Sequence, residues 1–117
     1  MAAELTPAQT SITPGGRFRY EVHNLGDQWL FFGEAYALER QRDDAWEPCP
    51  CRVIFRAWAA NLPPGGRREL MAYVPDSAPP GHYRLVKEMC EKPDCYAKLT
   101  RRDPLITASF EFDVTAG

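Results

Sequence analysis

Cys49-Pro50-Cys51 and Cys90-Glu91-Lys92-Pro93-Asp94-Cys95 hold all four cysteines of this 117-residue chain. Sulfur in paired clusters is the strongest chemistry that its residue spacing offers. Three uses compete: two disulfides, a tetrahedral four-thiolate zinc site, or free, partly buried thiols. Zinc fits poorly, because one arm is Cys-x-Cys where structural sites place roughly two to four residues between ligands. A bridge between Cys49 and Cys51 would close a small, strained ring. The spacing therefore favours Cys49 and Cys51 each bridging to one of Cys90 and Cys95, with a local Cys90 to Cys95 bridge as the fallback. Sequence does not choose between these pairings. A redox-active pair needs a thiol pKa lowered at a helix N-terminus or beside a cation, and no helix start is predicted near either cluster.

The other chemistry-bearing residues resolve to plainer roles. His23 and His82 fall at strand ends or turns with no cysteine or carboxylate at metal spacing in the sequence, so both are read as surface histidines and no metal site is expected. Glu88 with Glu91, and Asp43 with Asp44, read as solvated turns because no Asp-x-Asp-x-Asp calcium loop is present. Arg67-Arg68 and Arg101-Arg102 lack interleaved aromatics, so no nucleic-acid partner is expected. Ser11, Ser77 and Ser109 sit in no Gly-x-Ser-x-Gly elbow, and no phosphate-binding glycine loop exists. No catalytic residue and no cofactor are expected.

The elements that must position these residues are strands. Phe18, Tyr20 and Val22 alternate with Arg17, Arg19 and Glu21, the period of a half-buried strand. A short apolar run follows at Trp29 to Phe32; Tyr36 and Leu38 then share a face, and a hairpin through Arg42-Asp43-Asp44 returns by Trp46. Trp29, Trp46 and Trp58 are read as core. Val53 to Ala60 shows neither clean alternation nor helix length and is read as a crossing segment with one helical turn, where Phe55 and Trp58 could form a contact patch. Leu70, Ala72 and Val74 make another inward row.

Pro79-Pro80-Gly81 then turns into a strand whose inward row is Tyr83, Leu85 and Met89, with Lys87 the single polar interruption. Tyr83, after Pro80 and Gly81, is placed to bond its hydroxyl back to nearby backbone and lock a corner. The last strand is the cleanest, with Ile106, Ala108, Phe110, Phe112 and Val114 on one side. Leu5 to Ile12 reads as an edge strand, where Pro7 is tolerated. Seven to eight mostly antiparallel strands at this spacing predict an all-β, immunoglobulin-like sandwich occupying residues 1–117 as a single domain. If Tyr36 to Arg40 pairs antiparallel with Tyr83 to Met89, the return through Trp46 brings Cys49 and Cys51 to the end where Cys90 lies, making all four thiols neighbours.

Composition sets the setting. The chain is 44% hydrophobic and 26% charged with a formal net charge of -2, ordinary globular material with no field to gather polyanions. No apolar run approaches the roughly eighteen residues of a membrane span. Met1-Ala2-Ala3-Glu4 has no basic n-region or apolar h-region, so the chain is either cytoplasmic or a mature domain separated from its export signal. Four cysteines in a small, proline-rich all-β chain favour an oxidising, extracytoplasmic compartment.

Several stretches together resemble a known family: Asn24-Leu25-Gly26-Asp27, Phe32-Gly33-Glu34-Ala35-Tyr36-Ala37-Leu38-Glu39-Arg40, Trp46, Leu62-Pro63-Pro64-Gly65, Pro80-Gly81-His82-Tyr83-Arg84-Leu85 and Phe110-Glu111-Phe112-Asp113-Val114. They look like the bacterial immunoglobulin-like domains of exported proteins and lipoproteins. The resemblance covers nearly the whole chain and implies the fold, an extracytoplasmic setting and no active site. A sandwich without catalytic residues is expected to be a monomeric module that presents loops or an edge strand to a protein or cell-envelope component. A weaker likeness is to bacterial intracellular proteinase-inhibitor domains, which would place the loop from Cys90 to Pro104 in a protease cleft. The cysteine set departs from both families and leaves a four-cysteine zinc or redox module as a further alternative.

Overall fold

The computed structural model describes residues 2–49, 55, 59–91 and 106–116, and they form a two-layer β sandwich. One layer has three strands in the order β1-β3-β8: β1 (Ala3–Pro7), β3 (Arg17–Asn24) and β8 (Arg67–Tyr73). The other has five, in the order β2-β10-β9-β5-β6: β2 (Ser11–Ile12), β10 (Ile106–Val114), β9 (Gly81–Met89), β5 (Ala37–Arg42) and β6 (Ala45–Pro48). A third ladder pairs β4 (Leu30–Gly33) with β7 (Ala59–Leu62). It joins the larger sheet through Phe31 and Cys90, which exchange backbone hydrogen bonds of 2.7 and 3.0 Å.

Alternation dictates which side chains meet. Phe18, Tyr20 and Val22 from β3 face Phe110 and Phe112 from β10. The Phe18 ring lies edge-on to Phe110 at 5.8 Å and tilted against Phe112 at 5.3 Å, spacings that suit aromatic quadrupoles. Leu70, Ala72, Leu85 and Met89 complete this buried seam. Tyr36 ties the layers by hydrogen bonds: its hydroxyl accepts the Tyr73 N–H at 2.6 Å and donates to the Tyr73 carbonyl at 3.0 Å. Burial pushes this phenol up to about 12.

The described residues form ten strands, more than the seven to eight expected of the sandwich, and the difference has two local causes. The N-terminal edge strand expected over Leu5 to Ile12 is two strands. β1 pairs antiparallel with β3, whereas β2 crosses to the opposite layer and pairs parallel with β10. Pro7 ends the first ladder, Ala8 makes a last bond to the Arg19 carbonyl, and Gln9–Thr10 carry the chain across. The second cause is β7, which opens within the segment expected to be a crossing, whereas the break at Glu34–Tyr36 between β4 and β5 falls where the two apolar runs were already read apart. In the expected crossing segment, Ala59 and Ala60 open β7 instead, while 53–54 and 56–58 lie outside the described residues.

Asn24, 1% exposed, organises the turn after β3. Its amide donates to the carbonyls of Gln28 (2.8 Å) and Leu62 (3.0 Å), and its oxygen accepts the Gly26 N–H (3.0 Å). All this side chain's polarity is absorbed by backbone, as burial of an amide requires.

Candidate functional site

The start of β9 is a hydrogen-bonded corner. Tyr83, fully buried, donates its hydroxyl to the Pro79 carbonyl at 2.6 Å. Burial raises its phenol pKa, opposed by the nearby Arg40 guanidinium. Arg40 on β5 donates to the Pro80 carbonyl at 3.0 Å. Gly81 has φ +157°, and a Cβ there would lie 2.8 Å from Arg40 Nε, so glycine lets the guanidinium close over the turn. The Cys49 sulfur is 3.9 Å from the Tyr83 hydroxyl.

Farther along β9, Lys87 is fully buried in the inward row. Its ammonium donates to the Gly33 carbonyl and, at 2.9 Å, to the Ala35 carbonyl, and it lies 5.5 Å from the Phe32 ring. It thereby partners backbone carbonyls on both sides of the turn between β4 and β5. Desolvation lowers its pKa to about 8, partly offset by Glu34.

Cys49 and Cys90 do not meet at one end of the sandwich as expected. Cys49 bonds the Leu38 carbonyl through its N–H, and Leu38 pairs with Leu85. Cys90 bridges Phe31, five residues beyond Leu85. At about 3.4 Å per residue this displaces the two by roughly 17 Å along the sheet, well past the Cα separation of about 7 Å that a disulfide tolerates. The short β5–β6 turn at Asp43–Asp44 brings the chain back only to Leu38, while the break before β5 extends the sheet to Phe31. Neither Cys49 nor Cys90 is a free thiol. Cys51 and Cys95 lie outside the described residues, as does most of the loop from Cys90 to Pro104.

The outward faces of β6, β5, β9 and β10 carry an ordered polar surface that local spacing does not reveal. The register sets Glu39 beside Arg84 and Arg84 beside Glu111, and likewise His82 beside Asp113. Arg84 donates to Glu39, and its guanidinium lies 4.5 Å over the Trp46 ring. His82 holds a carboxylate at each nitrogen: Asp113 Oδ1 at 2.7 Å from Nδ1 and Glu111 Oε1 at 2.7 Å from Nε2. Trp46 is also 5.9 Å from the imidazole, tilted by 40°.

Two tryptophans depart from their expected core positions. Trp46 sits on this outer face, and Trp29 is 48% exposed because the inward phase of β4 belongs to Leu30 and Phe32. Phe55, half of the suggested contact patch, packs edge-on to Tyr36 at 4.8 Å against the core; Trp58 lies outside the described residues. A cleft of about 220 Å³ is lined, among the described residues, by Ala35, Tyr36, Ala37, Val86 and Glu88. Among the described residues, no three His, Cys, Asp or Glu side chains gather to hold a metal ion. No helix there is long and apolar enough to cross a membrane.

A family model for the bacterial Ig-like domain matches residues 1–110. The chain belongs to that family. Domains of the bacterial Ig-like family are generally non-enzymatic. No curated protein matches the chain. Among solved structures, Spo0M, a sporulation control protein from Bacillus subtilis, aligns with a TM-score of 0.50 and 12% identity over 99% of this chain and 49% of that one. The alkylpurine DNA glycosylase AlkC of Pseudomonas fluorescens, bound to DNA containing an abasic site analog, aligns at 0.49 and 13% over 98% and 31%. WR4, a C. elegans MSP family member, aligns at 0.48 and 14% over 95% and 97%. At 12% identity the likeness to Spo0M concerns the fold alone, and the chain spans 49% and 31% of the length of the first two proteins.

Proposed function

We propose that this bacterial Ig-like domain is a non-catalytic, extracytoplasmic module of an exported protein, binding or bracing a protein or cell-envelope component, with its cysteines in disulfides. The observation that carries the reading is that neither Cys49 nor Cys90 is a free thiol. Oxidised cysteines in a small all-β domain belong to compartments outside the reducing cytosol. The ordered face of Trp46, Arg84, His82, Glu111 and Asp113 supplies aromatic and charged contacts of the kind that protein interfaces use. Fractionation of the cells that make the protein tests the compartment. Recovery outside the cytoplasmic membrane is expected, and recovery in the cytosol with four alkylatable thiols would overturn it.

A further inference from the structure

A neutral imidazole carries one N–H and one lone pair, whereas an imidazolium carries two N–H donors. Both nitrogens of His82 lie 2.7 Å from carboxylate oxygens, which only accept. This geometry is satisfied at both ends only when the ring is protonated. On deprotonation, one nitrogen would turn a lone pair toward a carboxylate 2.7 Å away, and that contact must open.

The ring is also one of the two cationic groups against Trp46, together with Arg84. Trp46 comes from β6, and the carboxylates come from β10, so His82 on β9 joins strands on both sides of it. The charged groups around the imidazole are Glu111 and Asp113 on β10, Arg84 on β9 itself and Glu39 on β5. Arg84 is held by Glu39 and Trp46, so proton loss from His82 leaves the two β10 carboxylates facing each other across an uncharged ring.

We propose that His82 is a proton-operated clasp, which when protonated draws Glu111 and Asp113 onto β9 beside Trp46 and when neutral releases one carboxylate and loosens the Trp46 contact. The bonds to Asp113 and then Glu111 raise the imidazole pKa above its ordinary 6.5. The outer face therefore changes charge and order at a pH above the ordinary histidine midpoint, and any partner seated there feels the change.

An NMR pH titration of the whole chain tests this, with His23→Gln present so that one imidazole remains. The expected His82 midpoint lies above about 6.5, the unperturbed value, and falls back toward it in the Glu111→Gln/Asp113→Asn double variant, with partial falls in each single variant. The Trp46 indole N–H resonance, assigned by Trp46→Phe, is expected to shift with the same midpoint and to lose that step in His82→Gln. A His82 midpoint at or below 6.5, a midpoint unmoved by the double variant, or an indole step that persists in His82→Gln would each overturn the clasp.

Discussion

The hydroxyl of Tyr83 donates to the carbonyl of Pro79, four residues earlier, at 2.6 Å. The turn ahead of β9 is thereby fastened to the strand's first inward side chain, and the Pro79-Pro80-Gly81 backbone is held where Arg40 can reach it. Tyr83→Phe keeps the ring and removes that donor, leaving the part-buried Pro79 carbonyl short of a partner. A loss of about 1 to 3 kcal/mol is expected by chemical denaturation. His82→Ala on the exposed face should cost less than about 1 kcal/mol, and equal effects of the two changes would show that the corner does not contribute.

Gly81→Ala tests the other half of the corner. Its Cβ would fall 2.8 Å from Arg40 Nε at a φ of +157°, so Arg40 must leave the Pro80 carbonyl. Destabilisation above about 1 kcal/mol is expected, and Arg40→Ala in the same background should add little, because the two changes break one contact.

Lys87 gives a pH signature with a definite sign. Its folded pKa is about 8 against an ordinary 10.5, so between those values the unfolded chain binds the proton that the folded chain has lost. Stability must therefore rise as pH increases through this window, and the cost of the buried charge is fully present below about pH 8. A shift of this size amounts to about 3 kcal/mol in total. Denaturant midpoints from about pH 7.5 to 9.5, below the tyrosine range, should climb in the native chain and stay flatter in Lys87→Met.

Parts of this arrangement were legible in the chain and parts were not, for physical reasons. Period-two alternation marks Tyr83, Leu85, Lys87 and Met89 as one row, so Lys87 stands out as a polar interruption. Its partners, the Gly33 and Ala35 carbonyls, depend on how the backbone bends between β4 and β5, which alternation does not specify. His82 reads as exposed from the same alternation. Its carboxylates lie 29 and 31 residues onward in sequence, and only the β9–β10 register brings them to it. Register also corrects the cysteines: the strand pairing was readable, but the level at which Cys49 and Cys90 sit was not, since it depends on the β5–β6 and β5–β9 registers. Trp29 misleads because bulk suggests burial while the phase of Leu30 and Phe32 assigns the inward face.

Reduction should be felt as a change in stability. Each bridge closed by these cysteines is expected to contribute about 2 to 4 kcal/mol. A lower thermal midpoint in excess reductant, recovered on reoxidation, is the expected outcome; an unchanged midpoint would mean that no bridge constrains the chain.

Oxidised cysteines lie at the heart of the proposed module, and the intact mass of the native protein under non-reducing conditions is the sharpest check on them. The predicted mass is that of the reduced chain less four hydrogens, with no added metal and no thiol open to alkylation. A mass equal to that of the fully reduced chain, or one increased by a bound zinc ion, would contradict it.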